Sequence, residues 1–320
     1  MEIKTQLTDF AKDTISGLLK NPKHLNPKYF YDDKGSEIFR KIMRMPEYYP
    51  TNCEFEIFLD QSSEMIKMME NAQNGFDLIE LGPGDGLKSK VLLRNLLQSH
   101  IDFDYFPVDI SSDAIQKLVD ELTRELNGIK IQERVGDFFK VLEHFNPQSS
   151  RPRVLLFLGG NIGNFNPGEV ESFLSKIHEL TRKGDKILIG FDLKKSPDVI
   201  CKAYDDPQGF TRDFNLNYLH RINRELNADF DTSLFEHHAS YDPMAGSMKS
   251  FLVSKKDHNV CFGITEQQIH FKKWEAIYME LSQKYDLEMI RKMALDAGFE
   301  VEGNFIDSQG YFADSLWVKK

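Results

Sequence analysis

The sequence predicts an α/β protein: a mainly parallel sheet with a terminal antiparallel hairpin, plus a smaller α+β domain inserted ahead of its C-terminal end. Three observations predict it. Apolar runs of strand length alternate with helical periodicity from Phe76 to Leu193, two of those runs end in glycine-rich turns, and the chain closes on a helix followed by two extended runs. Alternation of this kind joins parallel strands by right-handed crossovers.

Taken in order, Leu7, Phe10, Ala11, Ile15, Leu18 and Leu19 recur at helical spacing from Leu7 to Leu19. Asn21 to Pro27 breaks that helix, and Ser36 is the candidate N-cap of a short helix ending at Met43. Arg44 to Thr51 is an aromatic loop holding Tyr48 and Tyr49 between two prolines. Tyrosines so placed usually pack, but these precede the helix near Cys53 to Met69 that leads into the first glycine turn, where a lid would sit. The alternating segment reads as strand Phe76 to Leu81, helix 89–97, strand Tyr105 to Val108, helix 113–126, strand Ile129 to Arg134, strand Val154 to Phe157, helix 167–181 and strand Lys186 to Phe191. Beyond it, Pro197 to Tyr204 and Phe210 to Leu226 read as helices. His237 to Tyr241, Met248 to Ser254, Val260 to Thr265 and Trp274 to Ser282 read as strands of a separate small sheet. Leu287 to Ala297 is the last helix, and Phe299 to Phe305 with Tyr311 to Lys319 form the hairpin. Residues 60–195 and 287–320 are thus expected to form the principal domain. The 1–59 helices are expected to join 196–286 as the second domain, over the glycine-turn edge.

With 41% hydrophobic and 12% aromatic residues, 320 residues suffice for a packed core. A formal charge of -10, from 40 Lys+Arg against 50 Asp+Glu, argues against a general polyanion binder and makes nucleic acid an unlikely partner. Cys53, Cys201 and Cys261 form no C-x-x-C pair and leave one over, so they read as free thiols of a reducing compartment. The opening residues show no basic stretch followed by an apolar core, and no apolar run is long enough to span a bilayer. Cytoplasmic residence is the expectation, with a monomer and no membrane partner. The nine histidines include the adjacent pair His237-His238 but no metalloprotease spacing, so no metal is expected.

The chemistry begins at Asp77-Leu-Ile-Glu-Leu-Gly-Pro-Gly-Asp-Gly-Leu-Lys88, where a strand runs into Gly82, Gly84 and Gly86. Such a turn lets backbone approach a ligand closely, although the third glycine of the dinucleotide fingerprint is missing. A plain surface turn is the competing reading. Asp109 ends the next strand, where an acid commonly holds ribose hydroxyls; it could equally cap the helix near Asp113. Asp137 with Phe138 pairs a carboxylate with an aromatic suited to covering a purine, or simply terminates a strand. Leu158-Gly-Gly-Asn-Ile-Gly-Asn164 is a second glycine-rich turn. Together these groups fall at the carboxyl ends of successive parallel strands, where open α/β sheets bind ligands. The combination resembles the class I S-adenosylmethionine-dependent methyltransferases.

A more specific resemblance covers nearly the whole chain. Tyr29-Phe-Tyr-Asp, Gly35-Ser-Glu-Ile-Phe39, Met45-Pro-Glu-Tyr-Tyr-Pro-Thr51, Leu158 to Asn164, Ala203-Tyr-Asp-Asp206, Asn223 to Phe230 and Glu280-Leu-Ser-Gln-Lys-Tyr285 are similar to the histidine-specific Nα-methyltransferases of ergothioneine biosynthesis. That resemblance implies L-histidine as acceptor, S-adenosyl-L-methionine as cofactor with S-adenosyl-L-homocysteine as product, and trimethylhistidine (hercynine) as the end point. It implies cofactor contacts at Gly82, Gly84, Lys88, Asp109, Asp137 and Phe138, with Lys88 facing the methionine carboxylate. It implies Tyr48 as an imidazole contact, and Asn164 and Tyr204 as ligands of the substrate's α-amino and α-carboxylate groups.

The residue types suit that chemistry. Strand positions two apart face one way, so Glu280 and Ser282 present a carboxylate and a hydroxyl together, a pair that can hold both ring nitrogens of an imidazole. A solvent-facing strand edge is the plainer account of the same pair. Methyl transfer from a sulfonium demands alignment more than acid–base power, so no strong base is nominated; a hydroxyl such as Tyr31 can pass the amine proton on. Tyr31, Phe39 and Tyr48 can face the growing quaternary cation, though core packing alone accounts for Phe39. Two positions depart from the family: the first turn reads Gly-Pro-Gly-Asp-Gly where relatives often read Gly-Ser-Gly-Thr, and Ser250 stands where a methionine lines the imidazole pocket. Serine leaves more space and adds a polar group, so exclusive use of histidine is an open point. Two alternatives stand beside this reading: the same chemistry on a tryptophan-like amino acid, against which Glu280 speaks, and a non-catalytic S-adenosylmethionine-binding protein.

Overall fold

The computed structural model describes residues 7–70, 75–145 and 150–320. The first six residues of the opening stretch, read above for a leader, lie outside these. In chain order the elements are α1 (Asp9–Leu19), β1 (Lys23–His24), α2 (Asp33–Ile42), α3 (Tyr49–Met69), β2 (Phe76–Leu81), α4 (Leu87–Gln98), β3 (Phe103–Asp109), α5 (Ser112–Glu125), β4 (Arg134–Val135), α6 (Phe138–Glu143), β5 (Arg153–Phe157), α7 (Pro167–Leu180) and β6 (Lys186–Asp192). They continue with α8 (Pro197–Tyr204), α9 (Phe210–Leu226), β7 (Phe235–Asp242), β8 (Ser247–Ser254), β9 (His258–Phe262), β10 (Gln267–Phe271), β11 (Ala276–Gln283), α10 (Leu287–Asp296), β12 (Phe299–Ile306) and β13 (Phe312–Lys319). The chain divides into two units, residues 1–49 with 195–282, and residues 50–194 with 283–320.

The second of these units carries a seven-stranded sheet in the order β12-β13-β6-β5-β2-β3-β4. β2 pairs parallel with both β3 and β5, and β13 is antiparallel to β6 and β12. The chain builds outward from β2 through β3 to β4, then returns to lay β5 on the other side of β2. The carboxyl end of β2 is therefore the point where strand order reverses, the place such sheets open a crevice. All six residues of β2 are buried, as a strand covered on both faces must be. Its Ile79 and Leu81 share a core with Leu155, Ile187, Phe191 and Trp317.

The first unit has a four-stranded sheet ordered β1-β11-β8-β7 and a separate antiparallel pair, β9 with β10. Apolar residues of α1 and α2 (Phe10, Leu18, Ile38, Ile42) and of α9 (Phe214, Leu219, Ile222) share one core with Leu252, Ile277 and Met279 of the sheet.

Several details differ from the sequence reading. Helix α2 begins earlier than Ser36, because the Asp32 carboxylate accepts the Gly35 N–H at 2.7 Å and so caps it. Gly35 lies against the chain rather than breaking it: a Cβ there would meet the Phe30 carbonyl oxygen at 1.9 Å. Of the strand expected over Ile129 to Arg134, only Arg134–Val135 is paired as a strand, with one isolated bridge between Ile131 and Tyr105. Helix α3 starts at Tyr49, and Pro50 opens the second unit ten residues before the expected boundary. The cause is continuity: α3 runs unbroken to Met69, and from its middle the Gln61 amide donates to the Ile306 carbonyl of β12 at 2.8 Å.

Candidate active site

In the unit built on β2, the first glycine turn has left-handed backbone at Gly82, Gly84 and Gly86, with φ of +69°, +60° and +66°. At Gly82 the conformation and the space agree. Its N–H continues the sheet to the Val108 carbonyl at 2.9 Å, and a Cβ there would come within 3.6 Å of the Phe138 ring. The turn and the aromatic assigned to adenine are therefore neighbours. Around Gly84 a Cβ would meet nothing within 4 Å, which leaves the turn's outer edge open.

Asp109 ends β3 beside Val135 of β4, and its carbonyl accepts the Gly136 N–H at 2.8 Å. Its carboxylate takes the Ser111 N–H at 2.9 Å, while Ser111 rather than Asp109 caps α5. Asp137 is the N-cap of α6: one oxygen receives the N–H groups of Phe139 and Lys140 at 3.1 and 3.2 Å. Capping fixes the carboxylate in direction and sets Phe138 on the first turn of that helix. The Lys88 ammonium is ion-paired with Glu54, a buried residue of α3. Acceptors at two strand ends, an aromatic face beside a glycine turn and a lysine at the mouth of α4 make a donor and acceptor set that fits S-adenosylmethionine. Asn164 ends a short turn of 3₁₀ helix, Asn161–Asn164. That turn is pressed against the backbone, since a Cβ on Gly163 would lie 2.8 Å from the Gln283 carbonyl oxygen, and the Tyr285 hydroxyl donates to the Ile162 carbonyl at 3.3 Å.

In the other unit, six of the predicted residues come together. Tyr31 meets Phe39 edge-on at 5.3 Å between ring centroids, and Phe39 meets Tyr48 at 6.2 Å. Phe214 of α9 supports both Tyr31 and Phe39, at 5.6 and 5.7 Å. The Tyr204 hydroxyl donates to the Ser282 hydroxyl at 2.7 Å. The Tyr31 hydroxyl titrates well above its ordinary range because of burial first, then the Glu280 charge and the Tyr48 and Tyr204 hydroxyls. Tyr31 as a residue nonetheless remains 48% exposed. With its titration raised so far, it stays a neutral phenol.

Glu280 and Ser282 sit on β11 out of phase with the buried Ile277, Met279 and Leu281. Tyr204 ends α8, where its carbonyl accepts from His237 Nε2 at 3.0 Å. Asp206 just beyond it holds the N–H groups of Thr211 and Phe210 at 2.8 and 2.9 Å. Burial would raise the Asp206 carboxyl, but those N–H groups outweigh it and hold it below the usual range. Ser250 is buried in β8 opposite Ala239 of β7. Sequence reasoning noted His237 only as half of an adjacent histidine pair, and did not single out Phe214 or the buried carboxyls Glu54, Glu80 and Asp314. The carboxyls leave a faint trace, an acid inside an otherwise apolar stretch, as in Phe312-Ala-Asp-Ser-Leu-Trp317.

An open, mainly parallel sheet with a glycine turn at its switch point, two acids at neighbouring strand ends and an aromatic beside the turn defines a nucleoside-cofactor enzyme of the S-adenosylmethionine-dependent methyltransferase class. Comparison with known proteins narrows the class. The sequence pattern of the family described as "Histidine-specific methyltransferase, SAM-dependent" matches residues 10–319, and the chain belongs to that family. It is 36% identical over 308 residues to a histidine N-alpha-methyltransferase of Mycobacterium tuberculosis (strain CDC 1551 / Oshkosh), covering 96% of this chain and 94% of that protein. The corresponding protein of Mycolicibacterium smegmatis is 34% identical, with 96% and 94% covered. An ergothioneine biosynthesis protein 1 of Schizosaccharomyces pombe is 27% identical over 92% of this chain and 39% of its own length.

Proposed function

We propose that the enzyme methylates the α-amino group of free L-histidine, up to the trimethylated product hercynine, and releases S-adenosyl-L-homocysteine. The observation that carries this reading is the grouping of Tyr31, Tyr48, Tyr204, Glu280 and Ser282, which sets one carboxylate among hydroxyls, the donor and acceptor pattern of an imidazole with two ring nitrogens. When bound, S-adenosylmethionine supplies a sulfonium methyl that is already electrophilic. Gly82 and Gly84 admit it to the backbone, Asp109 takes the ribose hydroxyls, Asp137 and Phe138 take the adenine, and Lys88 takes the methionine carboxylate.

On the acceptor side, Glu280 receives the ring N–H and Ser282 donates to the other ring nitrogen, with Tyr48 completing the contact. Accepting from Tyr204 orients the Ser282 hydroxyl for that donation. Asn164 and Tyr204 hold the α-amino and α-carboxylate groups as neutral partners, so that the amine is not trapped as an ammonium ion. Tyr31 keeps its own proton and therefore acts as a relay that accepts and releases together rather than as a resident anion. The rings of Tyr31, Phe39 and Tyr48 face the quaternary cation. Ser250 leaves the pocket roomier and more polar than a methionine would. Cys53, Cys201 and Cys261 are thiols rather than disulfides, which suits a reducing cytoplasm. Among the described residues no helix is long and apolar enough to cross a membrane. We read the working form as a monomer.

The test is incubation with S-adenosylmethionine and a panel of free amino acids, with mass detection of mono-, di- and trimethyl products. Histidine alone should react. Comparable turnover of tryptophan would overturn the acceptor assignment, and no methylation of any amino acid would overturn the catalytic reading.

A further inference from the structure

Close to Lys88, four ionisable groups from four elements gather: Glu54 of α3, Glu80 of β2, Lys88 of α4 and Asp314 of β13. The Glu54 side chain is 1% exposed. One oxygen accepts the Gly159 N–H at 2.7 Å and the other takes the Lys88 ammonium. The surroundings admit little slack: a Cβ on Gly190 would lie 2.6 Å from the Glu54 carboxylate, and one on Gly159 would lie 3.5 Å from Lys88 Nζ. Glu80 is satisfied separately, by the hydroxyls of Ser89 and Tyr105 at 2.5 Å each.

Asp314 is fully buried, and neither of its oxygens meets a donor among the described residues. The group beside it is the Glu54 carboxyl, and two carboxyls can hydrogen-bond only when one of them carries a proton. Burial and then the Glu54 charge push Asp314 well above the carboxylate range, with Lys88 pulling the other way. Burial alone would lower Lys88, but Glu54 outweighs it and the ammonium persists. Of the three N–H donors of the ammonium, Glu54 takes one.

On the reading of Lys88 as the partner of the cofactor's methionine carboxylate, we propose that Glu54 is a positioning residue for the cofactor. It clamps the ammonium against the Gly159–Gly160 turn, so that the remaining N–H donors stand where that carboxylate binds. A lysine not so tethered would have to be ordered by the ligand itself, at the expense of affinity.

Calorimetric titration of the full chain with S-adenosyl-L-homocysteine and with 5′-methylthioadenosine, which lacks the amino-acid end, tests this. Glu54→Gln and Lys88→Met should each weaken S-adenosyl-L-homocysteine about tenfold, as loss of a charge-assisted contact does, and leave 5′-methylthioadenosine within about twofold. Should Glu54→Gln fail to fold, Glu54→Asp replaces it, since the shorter carboxylate draws the ammonium back and shifts affinity the same way. If Lys88→Met weakens S-adenosyl-L-homocysteine selectively and the Glu54 variants do not, the positioning role is overturned while the Lys88 reading stands. If Glu54→Gln weakens both ligands alike, its role is general support of the fold and the proposal fails. If Lys88→Met fails to separate the two ligands, the Lys88 reading falls with it.

Discussion

Replacing Glu280 by alanine removes the carboxylate from the aromatic group and, on the proposed assignment, leaves the imidazole N–H of a bound histidine without its acceptor. A hydrogen bond to a charged group contributes about 1.5–3 kcal/mol. Glu280 is half-buried, so solvent replaces part of that loss, and the expected fall in kcat/KM for histidine is roughly 10- to 100-fold. Glu280→Gln keeps an acceptor oxygen without the charge and should fall between the two. Binding of S-adenosyl-L-homocysteine should stay within about twofold in both variants, because the residues assigned to the cofactor belong to the other unit. The same substitution removes a negative neighbour that raises the Tyr31 hydroxyl, so the Tyr31 pKa should move down toward its ordinary value in a spectroscopic titration. Steady-state kinetics on histidine with parallel calorimetry decides the matter. A kcat/KM change below about threefold, or an equal loss of cofactor binding, would refute the assignment of Glu280 to the imidazole.

The 2.7 Å contact between Tyr204 and Ser282 predicts that Tyr204→Phe and Ser282→Ala each cost about 0.5–1.5 kcal/mol in histidine kcat/KM. Their double variant should be less than additive in a double-mutant cycle. Asp32→Ala removes the α2 cap together with contacts to Asn217 and Arg224; destabilisation of about 1–3 kcal/mol should appear as a lower melting temperature. His237 titrates below its ordinary value of 6.5, chiefly through burial. The unfolded chain therefore takes up that proton first, and stability is lost as pH falls below about 6.5. In denaturant titrations across that range, His237→Gln should flatten the slope.

The parallel sheet was legible because strands covered on both faces read as apolar runs, and because glycine marks the turns at which they stop. Helices α8 and α9 were legible by periodicity. What escaped was written in too few residues or in long-range contacts. Strand β1 is two residues long and exists because Lys23 and His24 pair with Ile277 and Tyr278. Strand β10 pairs with β9 through residues of which only Ile269 and Phe271 are buried, too brief an alternation to stand out. Asp32 rather than Ser36 caps α2 because a glycine three residues on brings its N–H to the carboxylate, a fit that composition does not encode. In the candidate site, the side chains picked by type and order, Tyr31, Phe39, Tyr48, Tyr204, Glu280 and Ser282, lie close to one another. The buried acids Glu54 and Asp314 were not legible, since their neighbours come from elements far apart in sequence.

Strand β1 also dictates the order in which the molecule can be completed. Its partner β11 and the helix α9 that shares its core are synthesised well over a hundred residues later. As the chain emerges, the apolar faces of α1 and α2, with Phe10, Leu18 and Ile38, lack most of their shared core until α9 and then Ile277 and Met279 appear. A chain interrupted before that point leaves part of that core in water.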